Sequence, residues 1–501
     1  ARSSRWHILP TSGSRAAGNL RRLFRRVPLL PQQVQSQLAD SSRERPRATG
    51  TTVVASAGIA SRIAPRTIPY GVELCRAPTS RMPSITADPA AARAFAFEVV
   101  ARLRRAGHEA VWAGGCVRDE LLGRTPADYD VATSARPDAV RALFGHRRTL
   151  AVGAAFGVIT VLGPKGAGQV EVATFRADAP STDGRHPAGV TFCSAREDAL
   201  RRDFTINGLF FDPLEGEVLD YVGGQQDLND GIIRAIGVPS MRFGEDHLRM
   251  LRAVRFSAGF DFPLERKTRR AIESMARFVE SVSPERIAAE LRAMCSRPGR
   301  GQAIELLVDT GLAGPVFHEF TGQPPAFWSS AAATLDALDE PDLPLALAIL
   351  CRHEPTAVGR LSRRLRLANH EGKLAGWLVA ALAAIEPATP ADELAGRPWS
   401  ELQPWLADAC RFRLADLLRA LAAQGGGAAD TAAWVSRQVN RPATELNPPP
   451  LLGGAELLTL GVPAGPAVGQ TLRKLRRLQL DGRLASRTEA VDRVKAWQAE
   501  G

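Results

Sequence analysis

"GGCVRDELLGRTPADYDVAT", from Gly114 to Thr133, sets two adjacent glycines and an arginine ahead of two aspartates, Asp128 and Asp130, that flank a single residue. Glycine pairs mark tight turns, and Asp-x-Asp occurs on solvated strand ends. The order of the features is what is uncommon. Just upstream, "EAVWAGG" reads as a buried strand running into a glycine turn. "VRDELLG" then reads as the following helix and "DYDVAT" as a second strand. Gly114 and Gly115 let the backbone approach a phosphate closely, and the start of the helix favours negative charge. Arg118, in the first turn of that helix, can fork onto phosphate oxygens. Asp128 and Asp130, two apart on a strand, are expected to project from one face. Two carboxylates there can share a divalent metal. Mg²⁺ suits them, because it takes hard oxygen ligands and accepts substrate phosphates as the rest of its shell. Polymerase-type transfer uses two such ions, one at the attacking hydroxyl and one at the leaving pyrophosphate. A solvated strand end beside a structural glycine turn is the plain alternative, and the glycine–arginine element ahead of the aspartates weighs against it.

Working outward, "PAAARAFAFEVVARLRRAG" has helical spacing and closes at Gly107. "RPDAVRALFG" is a helix begun by Pro and closed by Gly. "LAVGAAFGVITVLG" and "QVEVATFR" read as strands joined by "PKGAG", and "TINGLFFD" and "EVLDYV" as a hairpin over "PLEG". From about Gly223 onward Ala- and Leu-rich helical patterns, broken by Pro and Gly, replace the strand signal. The order implies a small α/β head followed by a long all-helical body, without an internal repeat.

Three further stretches carry candidate chemistry. Glu171, in "VEVATFR", is an acid inside an apolar strand and so needs a partner or a metal. If its strand neighbours "DYDVAT" it faces the same ions, and otherwise it is an edge-strand acid. In "EDALRRDFTINGLFFD", Arg202 can clamp a triphosphate. Asp203 and Asn207, the latter in a strand interior, suit a ribose edge or a turn scaffold. Alone, that stretch is a charged helix end. In "RFGEDHLRMLRAVRFSAGF", Asp246, Arg249, Arg252 and Arg255 follow at three-residue steps along one side of a helix, with Glu245 off that line. An Asp and an Arg together offer acceptor and donors to the Watson–Crick edge of a base. A salt-bridged solvated helix face has the same spacing.

Bulk composition bounds these readings. At 501 residues the chain exceeds one core, so two to four domains are expected. No apolar run is long enough to span a membrane. The net charge of +11 suits a polyanionic partner, and the basic residues are overwhelmingly Arg. The six cysteines are scattered without Cys-x-x-Cys spacing, which reads as reduced thiols in a cytosol-like compartment and excludes a disulfide framework or zinc site. No His is followed by Asp, which argues against an appended metal phosphohydrolase module. Residues 1 to about 85 lack periodicity and read as a disordered basic extension. A transit peptide or an RNA-touching arm shares that composition.

Taken in order, "GGCVRD…DYD", "VEVATFR", "RRDFTIN", "YVGGQQDL…IIRAIG", "EDHLRMLRAVRF" and "PERIAAEL" resemble the bacterial-type (class II) nucleotidyltransferases of the polymerase β superfamily. That group contains CCA-adding tRNA nucleotidyltransferases and bacterial poly(A) polymerases. The resemblance covers about Ala110 to Arg300. It implies an α/β nucleotidyltransferase head with a small mixed sheet, followed by an all-α neck, body and tail. The expected divisions are an extension over 1–85, the head over 86–222, the neck over 223–312, the body over 313–452 and a basic tail over 453–501. By this resemblance Gly115 and Arg118 look like nucleotide contacts and Arg202 like the triphosphate-binding arginine. Gly114 and Asn207 are candidate nucleotide contacts on their own chemistry, the close backbone approach and the ribose edge. Asp128 and Asp130 look like the metal ligands, with Mg²⁺ the expected ion, and Glu171, by its place in an apolar strand, is the candidate third catalytic acid. Asp246 and Arg249 look like the pair that selects C or A without a template, and Arg252 and Arg255 like further nucleotide contacts.

"AVGAAFGVITVLG" lacks the basic strand and His-Val element that poly(A) polymerases of the group tend to carry. "RADAPSTDGRHPAGVTF" (Arg176 to Phe192) resembles the flexible loop that CCA- and A-adding enzymes have and CC-only enzymes lack. "LLTLGVPAGPAVGQTLRKLRRLQLDGRLASRTEA" resembles the tail of CCA-adding enzymes. The resemblance therefore implies addition of CCA to tRNA 3′ ends from CTP and ATP, with the tail residues Arg473, Lys474, Arg476 and Arg477 gripping the acceptor arm. An A-adding or poly(A)-tailing enzyme is the alternative within the class. A catalytically inactive RNA-binding module is the alternative outside it. No membrane and no obligate protein partner are inferred. The expected compartment is the cytoplasm, or an organelle if the extension is a transit peptide.

Overall fold

The computed structural model describes residues 88–178, 190–425 and 427–499. The basic extension over 1–85 and residues 179–189 of the loop read between Arg176 and Phe192 lie outside the described residues.

Helix α1 (Pro89–Arg105) starts where sequence chemistry places it. The Asp88 side chain accepts the Ala90 N–H at 3.2 Å, and Pro89 occupies the first turn. Its buried stripe of Phe95, Ala96, Val99, Val100 and Leu103 packs on the sheet. Each fully buried Val, Leu or Phe contributes about 1.5–3 kcal/mol to that seam.

Strands β1 (Ala110–Ala113), β2 (Asp130–Thr133), β3 (Thr149–Leu150), β4 (Val158–Leu162) and β5 (Gln169–Thr174) are followed by β6 (Arg176–Asp178) and β7 (Val190–Phe192), then β8 (Leu209–Asp212) and β9 (Glu217–Asp220). Seven of them form one sheet in the order β3-β4-β5-β2-β1-β8-β9, in which only β2 and β5 pair in parallel. The sheet is therefore mixed, as expected, and β6 and β7 form a separate ribbon. Alternate residues of β1 serve opposite faces. Ala110 and Trp112 join the core under α1, while Val111 and Ala113 join a smaller cluster with Phe175, Ala199 and Phe210.

The head's short helices are α2 (Gly115–Leu121), α3 (Pro137–Phe144) and α4 (Ala195–Leu200). Ser194 caps α4 in a capping box with Glu197. Beyond β9 come α5 (Gly224–Asp230), α6 (Pro239–Glu245), α7 (Leu248–Phe260), α8 (Arg266–Met275) and α9 (Pro284–Cys295). Helix α7 is the hub that joins sheet to helices. It packs on α9 and on the helix Arg300–Asp309, and its Phe256 meets Phe204 of the head edge-on at 5.7 Å. One apolar core runs without a break from Phe95 to Val439. Its centre in the body is the helix Leu343–Cys351, every residue of which is buried. Leu452, Leu457, Val462, Leu475, Leu484, Ala490 and Val494 form a core of their own near the C-terminus. No helix among the described residues is long and apolar enough to cross a membrane. Cys116, Cys295 and Cys351 are buried thiols outside any disulfide.

Candidate active site

The two aspartates do not both lie on a strand. Asp130 opens β2, while Asp128 sits exposed in the bend before it. One of the two neighbouring strands ends here. β1 pairs with β2 as far as Trp112 opposite Val131, and then Gly114, at φ 73°, turns the chain away into α2. On the β1 side Asp128 has no strand to pair with, although β5 continues beside it to Gln169. Tyr129 holds the bend from beneath. Its hydroxyl donates to Glu120 Oε1 at 2.6 Å, Glu120 accepts Arg93 Nε at 2.9 Å, and its ring lies 4.9 Å from Trp112.

Glu171 stands beside Asp130 in the parallel register of β2 and β5. Its strand is interior, between β4 and β2, and its side chain is exposed, so neither the apolar burial nor the edge position expected for it is found. Burial, followed by the charges of Asp128 and Glu171, pushes the Asp130 carboxyl up to about 7, and Arg202 offsets only part of this. Carboxylates that repel one another in this way form a hard-oxygen donor set short of positive charge, which fits a divalent cation. Among the described residues no three His, Cys, Asp or Glu groups close into a metal cage. An ion held by Asp128 and Asp130 would therefore need oxygens from a substrate.

Arginines form the facing wall. Gly114 admits Arg202 over its turn, since a Cβ there would stand 2.8 Å from Arg202 Nη1. Arg202 forks onto Asp198 at 3.0 and 3.2 Å, donates to the Asn207 carbonyl at 3.3 Å and lies 4.9 Å from the Phe210 ring centroid. Arg118 is buried against Phe260 and Phe256 at 4.6 and 5.3 Å, and donates to Asn207 Oδ1 at 2.6 Å. Asn207 is not inside a strand. It ends a 3₁₀ turn, Thr205–Asn207, and β8 begins only at Leu209, whose carbonyl accepts the Gly114 N–H at 3.0 Å. The Thr205 hydroxyl, bonded to Asp227 at 2.7 Å, pins that turn. The turn aims the Asn207 amide between Arg118 and Asp203, to which it donates at 3.1 Å.

From Asp203 the network crosses into the neck. Its Oδ2 accepts Arg252 Nη2 at 2.7 Å, Arg252 lies 3.6 Å from Glu290, and Glu290 accepts Arg255 at 2.5 Å. Burial opposes charge on Asp203, yet Arg252 and Asn207 hold its carboxyl below the usual carboxylate range. Arg252 and Arg255 are thus engaged as struts between head and neck.

The expected line from Asp246 to Arg255 is broken. Asp246 lies between α6 and α7 with φ −156° and ψ 104°, because its carboxylate accepts the Leu248 N–H at 3.1 Å and caps the new helix. Its other oxygen binds Arg286 at 2.7 Å. Arg249 pairs with Glu245 at 2.6 Å, the acid that the spacing set aside, and donates to the Arg201 carbonyl at 3.2 Å. Asp246 and Arg249 are each held by another partner, and Arg249 stands over the turn that carries Arg202. Sequence reading missed Asp198, Glu245, Arg286 and Glu290, whose partners only folding brings near. Tyr129, an aromatic hydroxyl between the two aspartates, had a local signal.

In the tail, Arg473, Lys474 and Arg477 are exposed. Arg476 is spent on the Pro448 carbonyl at 2.6 Å and is not free to grip RNA.

The family model described as the poly A polymerase head domain matches residues 110–234, and that described as the probable RNA and SrmB-binding site of polymerase A matches residues 261–323. Sheet, acids and arginine wall thus belong to a nucleotidyltransferase. A CCA-adding enzyme of Geobacillus thermodenitrificans is 34% identical over 423 residues, 81% of this chain and 96% of that protein. One from Lactobacillus helveticus is 32% identical over 399 residues, 79% and 95% of the two chains. The chain belongs to the family of CCA-adding enzymes. The crystal structure of the Bacillus stearothermophilus CCA-adding enzyme in complex with CTP superposes with a TM-score of 0.66 at 28% identity, covering 82% of this chain and 99% of that one.

Proposed function

We propose that the protein adds C, C and A to tRNA 3′ ends from CTP and ATP without a template, releasing pyrophosphate. The observation that carries this reading is the acid cluster of Asp128, Asp130 and Glu171 facing Arg202 across the Gly114 turn. The terminal 3′-hydroxyl of tRNA attacks the α-phosphate, and the bond to pyrophosphate breaks. Arg202, whose side chain is 20% exposed, takes the triphosphate, and Arg118 and Asn207 shape the pocket behind it. Asp128 and Asp130 hold Mg²⁺, with Glu171 alongside. Bound there, it supplies activation of the hydroxyl and neutralisation of the leaving group. Asp246 and Arg249 select the base once nucleotide draws them from Arg286 and Glu245. Catalysis is mainly positioning and charge neutralisation. In this reading 86–222 is the head, 223–312 the neck, 313–452 the body and 453–501 the tail. Arg473, Lys474 and Arg477 touch the RNA backbone, by shape more than sequence. The enzyme works in the cytoplasm, with an organelle the alternative if the basic extension is a transit peptide.

The test is incubation with tRNA lacking its 3′ CCA, with CTP and ATP separately and together, followed by sequencing of the products. CC from CTP alone and CCA from both is the expected result. Addition of A alone, or of a long A tail, would move the enzyme to the A-adding or poly(A) alternative. No addition would favour a non-catalytic RNA-binding role.

A further inference from the structure

The helical body contains a cavity of about 480 Å³ that the nucleotidyl-transfer chemistry does not use. That volume falls in the range of small-molecule sites, about 300–1,000 Å³. Its floor is apolar, with Leu382 from the end of the helix Asn369–Ile385 and Leu421 from the end of the helix Arg411–Ala422. Ser330 and Arg352 supply the polar side of the wall.

Arg352 is unlike its neighbours. Arg292, Arg364 and Arg413 of the same helical region each pair with a carboxylate, those of Glu371, Glu319 and Asp342. Arg352 meets only neutral groups: His353 Nε2 at 2.8 Å, the Ile349 carbonyl at 3.3 Å and Ser330 Oγ at 3.2 Å. These contacts use three of the five N–H donors of a guanidinium, so two remain. Burial lowers its pKa from the usual guanidinium range, with no counter-charge opposing the effect. Glu386 sits exposed on the cavity wall and makes no ion pair with Arg352. The helix Ala428–Val439 begins at the cavity wall, and its cap residue, Gly427, has no side-chain oxygen for the first N–H groups. A half-buried cation without a carboxylate, above an apolar floor, is an unfinished ion pair.

We propose that this cavity binds a small organic anion, a carboxylate or phosphate group on an apolar body, with Arg352 and Ser330 holding the charged end and Leu382 and Leu421 the apolar end. The proposal does not depend on which nucleotides the head transfers.

The test uses the full chain, with CTP present to occupy the head, and three probes: 1-naphthyl phosphate, 1-naphthoate and the neutral 1-naphthol. Binding is read by titration calorimetry. At least one anion should bind at a single site ten-fold or more tighter than 1-naphthol, and the tighter of the two names the charged group. Arg352→Gln should weaken that anion ten-fold or more and leave 1-naphthol unchanged. Ala388→Trp, which fills the mouth, should weaken all three. Both variants should turn over tRNA as the parent does, showing that they fold. If neither anion binds the parent, or if Arg352→Gln binds both as well as the parent does, the cavity is not an anion site and the proposal is overturned.

Discussion

Replacing Asp130 by Asn should make the metal-free protein more stable at pH 8 while ending nucleotide addition. The substitution keeps the shape of the side chain and removes its repulsion from Asp128 and Glu171. The Asp130 carboxyl stands at about 7 in the folded protein. In the unfolded chain it returns to the ordinary value of about 3.9. Below about pH 4 it is protonated in both states and costs nothing. As pH rises, the unfolded chain releases the proton first, so stability is lost progressively and the full cost is reached above pH 7. Three pH units correspond to about 4 kcal/mol. Asp130 keeps some access to water and salt screens its neighbours, so about half of that is the working expectation. The assay is thermal unfolding in EDTA at pH 8 and at pH 4.5. The Asn variant should melt a few degrees above the parent at pH 8, with the gain nearly gone at pH 4.5. Mg²⁺ with CTP should raise the parent's midpoint and leave the variant's unmoved. A variant no more stable than the parent at pH 8, or equally stabilised at both pH values, would refute the idea that clustered charge is stored at this site.

Arg249→Ala should lower preference for CTP and ATP over UTP and GTP by roughly ten- to a hundred-fold, with total incorporation falling less. Single-nucleotide incorporation onto tRNA ending in CC and onto tRNA lacking CCA reads this, and an unchanged preference would assign base selection elsewhere. Glu290→Gln leaves Arg252 and Arg255 half-buried without their shared acid, so unfolding should become easier by about 3–5 kcal/mol in denaturant titration. Gly114→Ala forces a side chain onto a backbone at φ 73° and into Arg202, so the KM for CTP should rise several-fold while tRNA affinity measured by filter binding holds.

The sequence alone determined the parts whose causes are local. Pro89 at the head of an apolar helical stripe, Pro137 closed by Gly145, and the glycines at 114 and 115 act on residues close to themselves in the chain. The helix starts, the turn after β1 and the α/β-then-helical order were therefore legible. So was the candidate catalytic stretch, because Gly114, Arg118, Asp128 and Asp130 lie within twenty residues and share one β-turn-α-β unit. Tertiary structure alone decided which acid each arginine meets. Arg252 reaches back to Asp203, Arg255 forward to Glu290 and Asp246 forward to Arg286. Three-residue spacing places charges on a helix but carries no information about the partners a distant segment brings. It also could not show that the Asp246 carboxylate would end one helix to cap the next. Although β5 continues beside it to Gln169, Asp128 fell outside β2 where one of its two neighbours, β1, turns away. The turn that removes that neighbour, at Gly114, is the same turn that opens the space for Arg202.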